Sequence, residues 1–172
     1  GGGVFGKRRE PRGPDGAGVA ALARTRRRFD GGTIERQSTW CRPVSILVAN
    51  PGGGQGKTTT SLLRGGTLAT IRGGSVVIPE LADAPGMLAY RAEGSPSLGI
   101  GELVQRVHTL ARNPSALAGY AKPQTSFAAV IGSTGRRPTL TGEDVRAVMN
   151  KTEEFYMVRV MDTGNDATSS AF

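Results

Sequence analysis

The sequence predicts an α/β fold: a mostly parallel sheet with helices on its faces. Three observations carry that expectation. Short apolar runs rich in β-branched residues alternate with stretches of helical periodicity, the order in which parallel strands and right-handed crossovers are built. A glycine-rich turn, residues 50–56, lies between the first run and the first helix. The last run ends at an acidic residue, Asp162. Ligands of open parallel sheets bind beyond the carboxyl ends of the strands, and both the turn and Asp162 fall at such ends.

The elements follow in order. Residues 44–49, Val-Ser-Ile-Leu-Val-Ala, read as a strand buried on both faces. Residues 57–71 read as a helix with Leu62, Leu63, Leu68 and Ile71 as its apolar positions. Gly65-Gly66 weakens that helix, since each interior glycine costs about 1 kcal/mol relative to alanine. The pair either permits close helix–sheet packing or marks damage. A second strand is expected at 75–78, and a loop at 79–86, which holds Pro79, Pro85 and Asp83. Residues 98–112 give the most regular helical stripe, Leu103, Val107 and Leu110 with Val104 and Ala111. Residues 113–139 read as loops around a short helix and the apolar run 127–131. Thr141-Gly142-Glu143-Asp144 resembles a capping box opening a helix over Val145, Val148 and Met149. Residues 155–161 form the last strand. No internal repeat is visible.

Composition divides the chain. Its 172 residues carry 22 Lys or Arg against 14 Asp or Glu, a formal net charge of +8. Residues 1–43 hold ten basic and four acidic side chains, a net of +6, and few large apolar ones. That segment reads as a basic Gly/Pro/Arg-rich extension, mostly disordered, because it buries too little to offset ordering entropy. A short helix at 17–29 is its one candidate element. Residues 44–172 read as the folded part. The 26 glycines lack a collagen period. The single cysteine, Cys41, excludes an internal disulfide and makes a cysteine metal cage an unsuitable reading. The apolar runs are too short to span a bilayer. Gly1 is followed by no signal-like apolar segment, so a secretory start is not recognisable.

The chemistry concentrates in Gly52-Gly53-Gly54-Gln55-Gly56-Lys57-Thr58-Thr59. Glycines bring backbone N–H groups close to a phosphate, at the positive end of the helix that follows. Gly53, Gly54, Gln55, Gly56 and Thr59 would cradle the phosphates. Lys57 would reach the β- and γ-phosphates, and Thr58 would offer its hydroxyl to Mg²⁺. Asp162, at a strand end beside the loop, suits a Mg²⁺-bound water. The strict G-x-x-x-x-G-K-[ST] pattern is broken by Pro51 at its first position.

Residues 50–59 resemble the deviant Walker A loop of the ParA/MinD ATPases, bacterial proteins of chromosome or plasmid partitioning and cell-division positioning. Asp162-Thr163-Gly164 resembles their Walker B turn. The resemblance covers about residues 44–172 and implies a P-loop NTPase-type sheet that binds ATP·Mg²⁺. It also implies a nucleotide-dependent homodimer, slow hydrolysis, a cytoplasmic location, a partner protein, and action on a DNA or membrane surface. The family's signature lysine falls at Gly52, which leaves the ATP-binding groups in place and removes a cation from dimer-coupled hydrolysis. The family's water-orienting acidic residue after the second strand falls at Glu80 or Asp83, with Glu80 slightly favoured. The family continues beyond the position of Phe172 through elements that hold the base and much of the dimer face. The resemblance therefore implies the N-terminal part of such a domain.

Two other functions stay open. Gly52 favours a degenerate, nucleotide-responsive scaffold with little hydrolysis. The +6 extension favours a basic nucleic-acid-binding fragment, whose affinity would fall steeply with salt. Asn150-Lys151-Thr152-Glu153 loosely matches a guanine-binding motif but precedes Asp162, the wrong order, and reads as a helix end. His108 reads as a helix-face residue, Cys41 and Trp40 as packing residues, and Arg136-Arg137 as a solvated loop pair.

Overall fold

The computed structural model describes residues 41–50 and 54–164, all within one unit, Ser38–Phe172. Residues 1–40 of the basic extension, with its candidate helix and Trp40, and Gly52 and Gly53 lie outside the described residues.

The strands are β1 (Val44–Val48), β2 (Val76–Pro79), β3 (Lys122–Pro123), β4 (Ala128–Ile131) and β5 (Val158–Asp162). The helices are α1 (Lys57–Arg72), α2 (Leu88–Arg91), α3 (Ile100–Arg106) and α4 (Gly142–Glu153), with a 3-10 turn at Pro114–Leu117. The sheet order is β1-β5-β2-β4-β3. The first four of these neighbours run parallel, and β3 pairs antiparallel to β4. This is the predicted α/β fold, a mostly parallel sheet with flanking helices.

Two apolar layers cover the sheet. Val76 and Ile78 of β2, Ala128 and Val130 of β4, and Val158 and Val160 of β5 pack with Leu68 and Ala69 of α1. The alternate residues Val77, Ala129 and Ile131 pack with Leu103 of α3 and Val145 and Val148 of α4. β2 and β4 are buried at every position, which explains their runs without polar alternation. β1 differs from expectation. It pairs only with β5 among the described strands, and its burial alternates, with Leu47 42% exposed.

α1 matches its predicted extent, but its buried face is not the leucine stripe. Lys57, Ser61, Gly65, Leu68 and Ala69 are buried, whereas Leu63 is exposed. Gly65 resolves the question posed by the glycine pair. A Cβ there would stand 2.5 Å from Ile78 Cδ1 and 2.6 Å from Ile78 Cγ1, so the missing side chain lets α1 lie close on β2.

Several boundaries are corrected. α3 is shorter than the predicted 98–112: Thr109 Oγ1 donates to the Arg106 carbonyl at 2.9 Å, and the chain turns there. His108 is therefore an exposed turn residue, and Ala111 leaves the stripe for solvent. Cys41 is exposed rather than packed. The run 127–131 loses its first residue, because Phe127 takes φ 68° in a turn and is exposed. The last strand starts later than expected, since Phe155 and Tyr156 both donate to the Thr152 carbonyl and finish the helix. The capping box at Thr141 forms, with Asp144 N donating to Thr141 Oγ1 at 3.2 Å and Thr141 N to Asp144 Oδ2 at 2.8 Å. Lys151 and Thr152 are buried in α4, where Thr152 Oγ1 donates to the Val148 carbonyl, so the Asn150–Glu153 stretch is helix end rather than base-binding loop.

Candidate functional site

β1, β2 and β5 all point their carboxyl ends at one corner of the molecule. Three features converge there: the start of α1, the loop after β2, and the end of β5. They line a cavity of about 530 Å³ that includes Gly54, Gln55, Gly56, Lys57, Thr58, Glu80, Asp83, Gly86, Arg91, Asp162 and Thr163. The cavity thus brings together all the sequence-predicted site residues except Gly53, which lies outside the described residues, and Thr59, which borders it.

The start of α1 follows from its sequence. Gly54 and Gly56 take φ 69° and 75°, values that disfavour other residues, and Gly56 is the N-cap. The first turn holds no acidic side chain to compete for the helix N-terminus. Lys57 is only 8% exposed, and its Nζ donates to the Asn50 carbonyl at 3.0 Å. That contact draws the two ends of the glycine turn together. Thr59 accepts a hydrogen bond from Arg91 Nη1 at 2.6 Å, which ties α2 to α1 at the cavity mouth.

Asp162 is the last residue of β5 rather than the first of the loop. It is 3% exposed, and Ser61 Oγ donates to its Oδ1 at 3.1 Å. Burial raises the Asp162 pKa; hydrogen bonds from Thr58 and Ser61 oppose that, nearby Glu80 adds to it, and Lys57 lowers it. Thr163 Oγ1 donates to the Val48 carbonyl at 2.9 Å, fixing the turn that follows. Thr58 and Asp162 offer hard oxygen donors side by side, a set that suits Mg²⁺, which takes few protein ligands and keeps waters. Among the described residues no group of three or more His, Cys, Asp or Glu forms a larger metal cage.

Glu80 continues β2 by a single bridge to Asp162 and is fully buried. Its carboxylate is heavily engaged. Oε1 accepts from Gly86 N at 3.0 Å and from Ser133 Oγ, and Oε2 accepts from Leu88 N at 3.1 Å. Arg137 Nη2 lies 3.8 Å from Oε1. Asp83 is half-buried and lines the cavity.

Sequence reasoning missed Ser61 and Arg137. Ser61 shares a buried helix face with Lys57 and Gly65, a polar and small-residue spacing that the leucines of the same helix mask. Arg137, expected in solvent, has a side chain only 4% exposed. No local signal marks it, because the carbonyls of Ala82, Asp83 and Ala84 that its fork engages lie more than fifty residues earlier.

Among solved structures the chain is similar to the crystal structure of a ParA family ATPase from Chlorobium tepidum TLS, with a TM-score of 0.55 and 15% sequence identity. The match covers 72% of this chain and 52% of that one, so the chain spans about half the length of that structure. At this identity the likeness is one of fold, a P-loop ATPase-like sheet. No family model matches the sequence, and no curated protein matches it. No helix among the described residues is long and apolar enough to cross a membrane.

Proposed function

We propose that this protein binds ATP·Mg²⁺ as a P-loop protein of ParA/MinD type. The observation that carries the reading is the convergence of Gly54–Gly56, Lys57, Thr58 and Asp162 on one cavity at the strand ends. In this reading the backbone of residues 53–56 and Thr59 surrounds the phosphates, and Lys57 supplies their counter-charge. Thr58 and Asp162 hold Mg²⁺, whose chemical contribution is to neutralise charge on the phosphate oxygens. Glu80, whose oxygens already accept three hydrogen bonds, and Asp83, half-buried in the cavity lining, are the two carboxylates placed to orient water. The likeness of fold to a structure described as an ATPase supports the class of ligand.

Residues 44–172 would form the phosphate-binding part of the fold, and residues 1–43 a basic extension. Gly52 in place of the signature lysine favours slow or absent hydrolysis, with nucleotide-dependent dimerisation as the output. The +6 charge of residues 1–43 favours a polyanionic surface in the cytoplasm, DNA or anionic membrane. Thermal unfolding tests the reading. ATP with Mg²⁺ raises the unfolding temperature, and ATP without Mg²⁺ raises it less. An unfolding temperature indifferent to ATP and Mg²⁺ contradicts it.

A further inference from the structure

We infer that Arg137 is a positioning residue for the candidate site: its guanidinium holds the wall formed by residues 82–87 in the shape a phosphate ligand meets. The inference rests on the ATP·Mg²⁺ reading above.

The cavity wall contributed by residues 82–87 is a loop with no strand or helix of its own. Its carbonyls at 82–84 are held instead by a distant side chain, that of Arg137. Arg137 Nη2 donates to the Ala82 carbonyl at 2.5 Å and to the Ala84 carbonyl at 3.2 Å. Nη1 donates to the Asp83 carbonyl at 2.8 Å. Three consecutive carbonyls thus converge on one planar fork. Nη1 also donates to the Pro138 carbonyl at 3.2 Å, and Nε donates to Ser133 Oγ at 3.0 Å, a hydroxyl that donates onward to Glu80 Oε1.

Glu80 completes the clamp from the other side. Its two oxygens take the amides of Gly86 and Leu88, while its charge faces Arg137. The contact at Gly86 is close: a Cβ there would stand 3.2 Å from Glu80 Oε2, so a side chain would require the carboxylate to give by a few tenths of an ångström. The guanidinium therefore acts directly on residues 82–84 and through Glu80 on residues 86 and 88. A lysine offers three donors from a single point and cannot reproduce this fork. Removing the guanidinium leaves three carbonyls without that donor and Glu80 as a buried charge without its partner.

The test uses the full chain. Backbone amide exchange at Gly86 and Leu88 is measured without nucleotide, and ATP·Mg²⁺ affinity is measured separately, for wild type, Arg137→Ala and Arg137→Lys. Each variant is also measured in low-millimolar guanidinium, far below denaturing concentrations. Arg137→Ala is expected to speed exchange at Gly86 and Leu88 by about tenfold, leave the amides of β2 and β4 unchanged, and weaken ATP·Mg²⁺ by about tenfold. Guanidinium restores both in Arg137→Ala, and Arg137→Lys remains impaired.

Unchanged exchange at Gly86 and Leu88, or faster exchange with unaltered affinity, overturns the proposal. So does failure of guanidinium to restore either property. Where Arg137→Ala does not fold, Ser133→Ala removes only the bridge. It should speed Gly86 exchange to a smaller extent, and no change there overturns the proposal. A wild-type protein that binds no ATP removes the reading of the site, and the exchange measurements then decide by themselves whether Arg137 holds the wall.

Discussion

Ser61, in the first half of α1, donates its hydroxyl to Asp162 at the end of β5 across 3.1 Å, although 101 residues separate them in the chain. The bond fastens the helix that begins at the glycine turn to the strand that ends beside it. It also fixes where the Asp162 carboxylate stands relative to Thr58. The position of the candidate metal-binding carboxylate is thus set by the interior of the fold rather than by a mobile loop.

Asp162 makes the site pH-dependent. Its folded pKa is raised above the ordinary 3.8, first by burial. Between those two values the folded state binds more protons than the unfolded one, so stability falls as pH rises through that interval. Mg²⁺ needs the ionised carboxylate, so its affinity rises over the same interval. Asp162→Asn removes the buried charge. It should unfold at a higher temperature than wild type near neutral pH without ligand, and lose the Mg²⁺-dependent part of ATP binding. Thermal scans with and without Mg²⁺ check both.

Gly65 is a packing requirement. Gly65→Ala gains about 1 kcal/mol of helix propensity, but its Cβ would meet Ile78 Cδ1 at 2.5 Å. Overpacking of this kind costs about 1–3 kcal/mol. The expected net effect is a loss of stability in denaturant unfolding. Adding Ile78→Val, which removes Cδ1, should recover part of it, and the double-mutant cycle measures the coupling.

In the proposed reading, Gly52 is the position that separates turnover from scaffolding. Gly52→Lys should raise steady-state ATP turnover above wild type if the missing cation limits hydrolysis, because such cations contribute orders of magnitude to phosphoryl transfer. Robust turnover in the unmodified protein would contradict the scaffold reading.

The parts of this molecule that local chemistry specifies were legible in the sequence. β2 and β4 are apolar without interruption because both faces are covered, and α4 announces itself through Thr141 and Asp144. Lys57, Thr58 and Asp162 stand out because glycine, lysine, threonine and a strand-end carboxylate occur in the order a phosphate site needs. What was not legible depends on distant partners. α2 has four residues and β3 two, too short for a periodicity. Arg137 beside Arg136 has the look of a solvated pair, and the distant carbonyls of Ala82, Asp83 and Ala84 draw it into the fold. β1 reads as a buried strand, yet its half-exposed alternation follows from its place in the sheet, which no single run reveals.

The most direct test is calorimetric titration of ATP·Mg²⁺ into wild type and Lys57→Ala. The Lys57 ammonium would make charge-assisted hydrogen bonds worth about 1.5–3 kcal/mol, so the variant should bind about 10- to 100-fold more weakly. Equal affinity in the two proteins would contradict the assignment of the glycine turn as a phosphate site.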